Sequence, residues 1–223
     1  MSVLGLMLGV KRKNHYIAAI GDMKTEFVPK QKEYVSSNFN ELSLPNQKIE
    51  STSFEDCTFK NCDFSEAEFC KCKFIDCKFS QCNLSVLKIK DCRFSDVVIE
   101  DSKAIGIDWT KAKWPSIPLF SPIKFFKCII NDSTFMGLSL NEIVIEECKA
   151  HDVDFRDGSF CGANFKYTDF SNSLFNETNL SGADFTEALN YQIDINYNSL
   201  KGAKFSRHEA VSLLESLGIE LVD

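Results

Sequence analysis

The stretch of the chain with the most residues capable of chemistry is CTFKNCDFSEAEFCKCKFIDCKFSQC, residues 57–82, which holds six of the ten cysteines. Thiolates at this density are typical of zinc sites and of disulfide frameworks. A structural zinc site needs four ligands that converge on one point, and a disulfide needs two Cα atoms within about 7 Å. The choice between these chemistries depends on the elements that position the cysteines.

Phenylalanine recurs with a period of five residues along most of the chain. Eighteen of the 20 phenylalanines fall in two registers, one from Phe39 to Trp114 and one from Phe120 to Phe205, and other apolar residues fill most of the gaps. The two registers are offset by one residue across WPSIPLF, residues 114–120. A period of five fits neither a helix nor a strand. It predicts a backbone that turns a corner every five residues and points each central side chain inward.

Four such units make a coil of about 20 residues, and coils stacked at the sheet spacing of about 4.8 Å form a rod of about 40 Å. The strings GANF (162–165), GADF (182–185) and GAKF (202–205) resemble the consensus A-[DN]-[LF]-x-x of the pentapeptide-repeat proteins. The resemblance implies an all-β fold, a right-handed quadrilateral β-helix. In that fold the central residue and the residue two before it are packed inside.

The chain is predicted to have three parts. Residues 1–36 form an N-terminal extension that we expect to be poorly ordered, and residues 37–205 form the β-helix with a phase slip at 114–120. Residues 206–223 form a short capping helix and a tail that mediates dimerisation.

The inward position two before each central residue is occupied by eight of the ten cysteines, namely Cys57, Cys62, Cys72, Cys77, Cys82, Cys92, Cys128 and Cys148. Elsewhere this position holds mostly alanine, serine and threonine, so reduced cysteine serves there as a small hydrophobic residue. Cysteines 20 apart line a column and do not converge on one point. We therefore predict structural thiols, with metal or redox chemistry as the lesser alternative. Cys70 and Cys161, one past their central phenylalanine, are expected to face outward, where either thiol is a candidate for reactivity.

Catalytic motifs are lacking in the sequence. It contains no G-x-S-x-G, P-loop or H-E-x-x-H motif, and its three histidines lie in unrelated segments. We predict no catalytic residues, no metal and no cofactor, and therefore a protein that is not an enzyme.

The net charge of −7 argues against direct binding to nucleic acid. When the repeats are folded four to a coil with a one-residue slip, one face is the most acidic. Its predicted partner-binding residues are Glu55, Asp56, Asp76, Asp96, Asp154, Asp157, Glu177 and Asp194. Three of them, Asp56, Asp76 and Asp96, recur once per coil and form a ladder.

An acidic rod of duplex-like proportions fits an enzyme that otherwise holds DNA. The chain resembles topoisomerase-binding pentapeptide-repeat proteins of the Qnr type, which implies that DNA gyrase or topoisomerase IV is the partner and that quinolone sensitivity is modulated. The sequence departs from that pattern in having a one-residue slip in place of long contact loops, and in its mixed surface charge. The alternative is a generic scaffold or adaptor. It would bind another protein through an outer face or through the bulge at 109–120, with Trp109, Trp114 and Phe120 as anchors.

Helical sequence occurs at the end of the chain, in SRHEAVSLLESLG, residues 206–218. Ser206 is the predicted N-cap with Glu209 completing a capping box, and Gly218 is the predicted stop. This ending resembles the C-terminal module through which Qnr-type proteins dimerise. The resemblance implies a homodimer, with Val211, Leu214, Leu217, Ile219 and Leu221 as contact residues.

The N-terminal residues indicate neither a secretory signal nor a membrane span. SVLGLMLGV precedes the basic run KRK, the reverse of the order in a signal peptide, and nine apolar residues are too few to cross a bilayer. Met23 is a candidate alternative start. We expect a cytoplasmic protein that does not bind membranes.

Overall fold

The computed structural model describes residues 26–28, 30–115, 121–219 and 222. They form a four-sided parallel β-solenoid of about eight coils with one short helix near the C-terminus, which confirms the predicted fold class. Each coil pairs with the next in parallel register. In the first coils Tyr34 pairs with Phe54 and Phe39 pairs with Phe59, so each central residue meets the one four repeats further along.

We name the four sides of the solenoid faces A to D in chain order. Face A contains β1 (Glu33–Val35), β4 (Ser53–Glu55), β7 (Lys73–Ile75) and β9 (Arg93–Ser95). Face B contains β2 (Asn38–Asn40), β5 (Thr58–Lys60), β8 (Lys78–Ser80), β10 (Val97–Glu100), β11 (Ile123–Phe126), β12 (Val144–Glu146), β14 (Asp184–Phe185) and β16 (Lys204–Phe205). Face C is held by isolated bridges such as Ser43 with Asp63. Face D contains β3 (Lys48–Glu50), β6 (Glu68–Cys70), β13 (Leu174–Phe175) and β15 (Gln192–Ile193), and a 3-10 helix at Trp109–Lys111.

Most corners in the described part of the solenoid are turned by a residue with positive φ, two positions after the central residue. Asp56, Asp76 and Asp96 have φ of 51°, 51° and 50°, and the series continues at five-residue steps along the chain. This left-handed conformation is unfavourable for most residues and is tolerated best by glycine, asparagine and aspartate. The corner geometry therefore explains why these three residue types recur at this position.

The core consists of stacked rings in columns that run along the solenoid axis. On face A, Tyr34 stacks on Phe54 with ring centroids 5.3 Å apart, and Phe54 stacks on Phe74 at 5.1 Å. Phe94 and Trp114 continue this column, with centroids 5.6 Å apart. Offset stacking of this kind contributes about 0.5–1.5 kcal/mol per pair beyond the burial of apolar area. The period of five therefore stabilises the fold both within a coil and between coils.

One coil is six residues longer than the coil before it. Phe79 pairs with Ile99, and Ile99 in turn pairs with Phe125, so the second step along the chain exceeds the first by six residues. The extra residues follow Trp114 at the corner between faces A and B. An insertion of six residues shifts the five-residue phase by the same single step as the predicted slip at 114–120. It differs from that slip in moving every later residue one side further round the solenoid.

The two ends of the solenoid differ from the predicted boundaries. The first strand begins at Glu33, so the solenoid starts before residue 37, and Phe27 stacks on Tyr34 with ring centroids 5.7 Å apart. Residues 1–25 lie outside the described part of the chain. In the last coil Phe175 pairs with Ile193, where the sequence register pointed to Ile195.

The C-terminal helix is a 3-10 helix at Glu209–Leu217. The predicted capping box is wrong, because the hydroxyl of Ser206 bonds Glu187 and the helix follows His208, which makes no side-chain cap. The stop at Gly218 is confirmed, since this residue has φ of 66° and its N–H donates to Glu215.

Candidate interaction surfaces

The eight acidic residues predicted to share one face lie on two faces. Glu55, Asp56, Asp76 and Asp96 belong to face A, whereas Asp154, Asp157, Glu177 and Asp194 belong to face D. The insertion is the reason, since Trp109 of face D stacks on Phe135 and the residues that follow Phe135 continue that face. The prediction of a single acidic face along the whole rod is therefore wrong.

The predicted ladder on face A is present as a column of three corner residues. Asp56, Asp76 and Asp96 follow central residues that pair in register, so they stack one coil apart. Asp56 accepts a hydrogen bond of 2.7 Å from Ser36, and Asp96 forms an ion pair with Lys124 at 2.7 Å, which partly offsets its charge. The column is exposed and ends at the insertion.

The acidic residues of face D are partly neutralised by their own neighbours. Arg156 donates to both carboxylate oxygens of Asp154, at 2.9 and 2.8 Å, and this hydrogen bonding holds the pKa of Asp154 below its ordinary value. Asp194 accepts from the backbone and side chain of Asn196, and Asp157 and Glu177 are exposed corner residues. Face D therefore presents two unshielded acids, Asp157 and Glu177.

The two tryptophans serve the core more than the surface. Trp109 is 1% exposed and packs against Phe125 and Phe135, so it is not available as a partner anchor, contrary to the prediction. Trp114 is half-buried, and its indole N–H donates to the carbonyl oxygen of Trp109 at 2.9 Å. Phe120, the third predicted anchor, lies outside the described residues. The part of the predicted bulge that the structure describes thus leaves Trp114 alone as an accessible anchor.

The C-terminal helix exposes much of its apolar side. Val211, Leu214 and Leu217 are 47%, 37% and 49% exposed, and Ile219, two residues beyond the helix, is 50% exposed. Leu213 packs against the core of the solenoid, so the exposed residues form the side that faces away from the coils. Leu221 lies outside the described residues.

The cysteine columns are as predicted, and all ten cysteines are free thiols. The pKa of Cys77 is raised, because its thiol is hydrogen-bonded to that of Cys57 and because burial disfavours the thiolate. The same hydrogen bond lowers the pKa of Cys57 to about 7, so it is burial and not the pKa that protects the column thiols from reaction. The prediction that Cys70 faces outward is wrong, since this residue is 7% exposed. It stands in register with Glu50 of the coil below.

A row of cations lies on face A, on the same side of the solenoid as the acidic column. Lys73, Arg93 and Lys113 occupy the position before three stacked central residues, and together with Trp114 and Pro115 they line a groove of about 710 Å³. Their recurrence once per coil is visible in the sequence, and it is the signal that identifies this row.

Within the described residues, no group of three or more histidine, cysteine, aspartate or glutamate side chains is arranged to hold a metal ion. No helix in the same part of the chain has the length and hydrophobicity required to cross a bilayer.

The coil geometry and the corner residues define a solenoid of five-residue repeats. Residues 52–121 and 119–185 match the family model described as a pentapeptide repeat region, and the chain belongs to this family. Members of the family are generally structural or interaction proteins. No match was found among curated protein sequences.

Two solved structures share the fold. Trypsin-treated QnrB1, a plasmid-mediated fluoroquinolone resistance protein, is 21% identical with a TM-score of 0.55, over 86% of this chain and 100% of that chain. HetL, a pentapeptide repeat protein involved in heterocyst differentiation regulation from the cyanobacterium Nostoc sp. strain PCC 7120, is 13% identical with a TM-score of 0.60. That match covers 78% of this chain and 87% of HetL.

Proposed function

We propose that this protein is a non-enzymatic interaction solenoid of the cytoplasm that binds a bacterial type II topoisomerase, DNA gyrase or topoisomerase IV, and changes its sensitivity to quinolones. The observation that carries the proposal is the column of Asp56, Asp76 and Asp96. It presents three carboxylates at one-coil spacing along a straight corner of the rod. The ten free thiols suit a reducing compartment.

The similarity to QnrB1, a fluoroquinolone resistance protein, supports the fold on which such a function would rest. A further support is the insertion after Trp114. The sequence pattern indicated a single-residue slip, whereas the coil carries six extra residues at the corner where the acidic column ends. Inserted residues next to a charged column are a common place for binding residues in proteins built on a rigid scaffold.

The mimicry in this proposal is limited to part of one face. Because the acidic residues are split between faces A and D, the DNA-like surface consists of the three-carboxylate column and not of the whole rod. The interaction is therefore expected to weaken with salt, since exposed charges are screened over about 10 Å at 0.1 M ionic strength.

The experiment is DNA supercoiling by purified gyrase, titrated with this protein in the presence and absence of a fluoroquinolone. The test variant reverses Asp56, Asp76 and Asp96 to lysine. Lysine is tolerated at this corner position, as Lys71 and Lys127 have φ of 55° and 53°. The matched control reverses three other exposed corner acids, Asp152, Asp157 and Glu177, which gives the same change in net charge.

Inhibition of gyrase or relief from the drug, lost in the column variant and retained in the control, supports the proposal. No effect of the folded wild-type protein at tens of micromolar on gyrase and on topoisomerase IV rejects it. Equal loss in both variants indicates a general charge effect and rejects the role of the column.

The homodimer remains part of the proposal. The observation that supports it is the exposed apolar side of the C-terminal helix, which a second copy of the same helix would bury.

A further inference from the structure

Face A carries a groove whose walls differ in character. Lys73, Arg93 and Lys113 line one wall, and Ile75 and Pro115 belong to the other. The floor includes Phe74, Phe94 and Trp114, the central residues of three successive coils. Its volume of about 710 Å³ lies in the range of about 300–1,000 Å³ in which proteins hold ligands.

Among the described residues, two of the three cations in this groove have no ion-pair partner. Lys113 forms an ion pair with Asp91 at 3.0 Å, which lowers the pKa of that carboxylate. Lys73 and Arg93 are exposed, and within the part of the chain that the structure describes no carboxylate lies within ion-pair distance of either. A row of unpaired cations at one-coil spacing attracts a chain with several negative charges.

The backbone beside these cations is also incompletely paired. In the preceding coils the backbone N–H of the corner residue donates to a carbonyl oxygen of the next coil. Asp56 donates to Ile75 and Asp76 donates to Ser95, each at 2.9 Å. The next bond of the series, from Asp96 to Pro115, is missing among the described residues. Lys113 still donates to Cys92 at 2.7 Å, so the ladder opens just after this residue.

Proline is the cause of part of this opening. In a parallel ladder the residue after the central one donates its N–H to the central carbonyl of the coil below. Pro115 stands at this position and has no N–H, so it leaves the carbonyl oxygen of Phe94 without its donor. Open backbone groups of this kind are used in proteins to bind extended peptides.

We propose that this groove is the docking site for an extended, acidic peptide segment of a partner protein. The carboxylates of the segment pair with Lys73 and Arg93. Its backbone bonds the carbonyl oxygen of Phe94 and the N–H of Asp96, which have no backbone partner among the described residues. The inference rests on the proposed role as an interaction solenoid, but it does not require that the partner be a topoisomerase. The charge of the groove selects an acidic segment, and the open ladder selects an extended one.

The test is a selection of twelve-residue peptides from a random phage-displayed library on the immobilised full chain, followed by fluorescence polarisation with the synthesised peptides. We expect enrichment of aspartate and glutamate. The variant Lys73→Glu with Arg93→Glu should weaken binding by about tenfold or more. The control variant, Lys103→Glu with Lys149→Glu on face C, carries the same charge change on two exposed lysines and should retain affinity.

If the face A variant retains binding, the groove is not the docking site. The interaction role is unaffected by this result, because another surface then binds the peptides. Failure to enrich any acidic peptide also rejects the proposal that the groove binds an acidic segment. The gyrase assay does not depend on either result, so failure of the topoisomerase proposal can be distinguished from failure of the groove proposal. A circular dichroism melting curve for each variant excludes unfolding as the cause of lost binding.

Discussion

Trp109 and Phe135 stack with ring centroids 5.8 Å apart and planes within 12° of parallel, although a complete coil and the insertion separate them in the chain. Their contact shows that the solenoid absorbs six additional residues without breaking the column of central side chains on face D. The faces before and after the insertion are thereby aligned. Every assignment of a later residue to a face depends on this alignment.

Removal of the insertion should leave the solenoid folded. Ile99 pairs with Phe125 on face B, as Phe79 pairs with Ile99 in the coil before. Deletion of residues 115–120 makes the chain between the first pair as short as the chain between the second. Because loop length contributes only weakly to stability, we expect the free energy of unfolding to change by less than about 1 kcal/mol. Urea denaturation measures this change. Loss of a cooperative transition would show that the extra residues are needed for folding.

Replacement of Val86 should stabilise the protein. This β-branched residue has φ of 58° and is 49% exposed, so it bears the strain of the corner without the benefit of burial. Val86→Gly removes about 1 kcal/mol of strain and should raise Tm by about 2–4 °C. The control is Val35→Gly, an exposed strand residue outside the set with positive φ, where the added backbone entropy lowers Tm. An equal effect of both substitutions would contradict the strain at the corner.

Asp169 should make the stability of the protein depend on pH between about 4 and 2. Burial raises its pKa, but hydrogen bonds from Asn190, Ser171 and His151 outweigh burial and lower the pKa to about 2. The unfolded carboxyl has a pKa of about 3.9. The stabilisation, about 2 kcal/mol after allowance for screening by solvent, is therefore fully present above this value and is lost as the pH falls through about 2. Asp169→Asn should abolish this loss in urea titrations, whereas Asp152→Asn at an exposed corner should not.

A thiol titration should separate one cysteine from the other nine. Cys161 alone among the ten is not buried, so one thiol should react with a disulfide reagent within seconds in the native state. The remaining nine should react only at the rate of unfolding. Cys161→Ser removes the fast phase. Several fast thiols in the native protein would contradict the packing of the columns.

The proposed dimer should depend on the C-terminal helix. Leu217→Glu places a charge in the exposed apolar side and should convert a dimer to a monomer in light scattering coupled to size exclusion. The control is Leu174→Glu on face D, which is exposed to a similar degree at 46% and lies outside this surface. A wild-type protein that is monomeric at high micromolar concentration would reject the dimer.

The solenoid, its inward positions and the cysteine columns followed from the sequence, because the period of five is repeated often enough to be unambiguous. The assignment of residues to faces did not follow, since a five-residue period is unchanged by any whole number of added units. An insertion of one residue and an insertion of six give the same phase, and only pairing between coils, such as Ile99 with Phe125, distinguishes them.

The open ladder beside Phe94 has a mechanical consequence. On face B, six strands from Asn38–Asn40 to Val144–Glu146 form one continuous sheet across the insertion, whereas the strands of face A stop at Arg93–Ser95. The stiffness of the rod is therefore unequal around its circumference at this level. Under a bending load the joint between these coils should yield on face A first and hold on face B, so that the rod has a preferred direction of flexure near its middle.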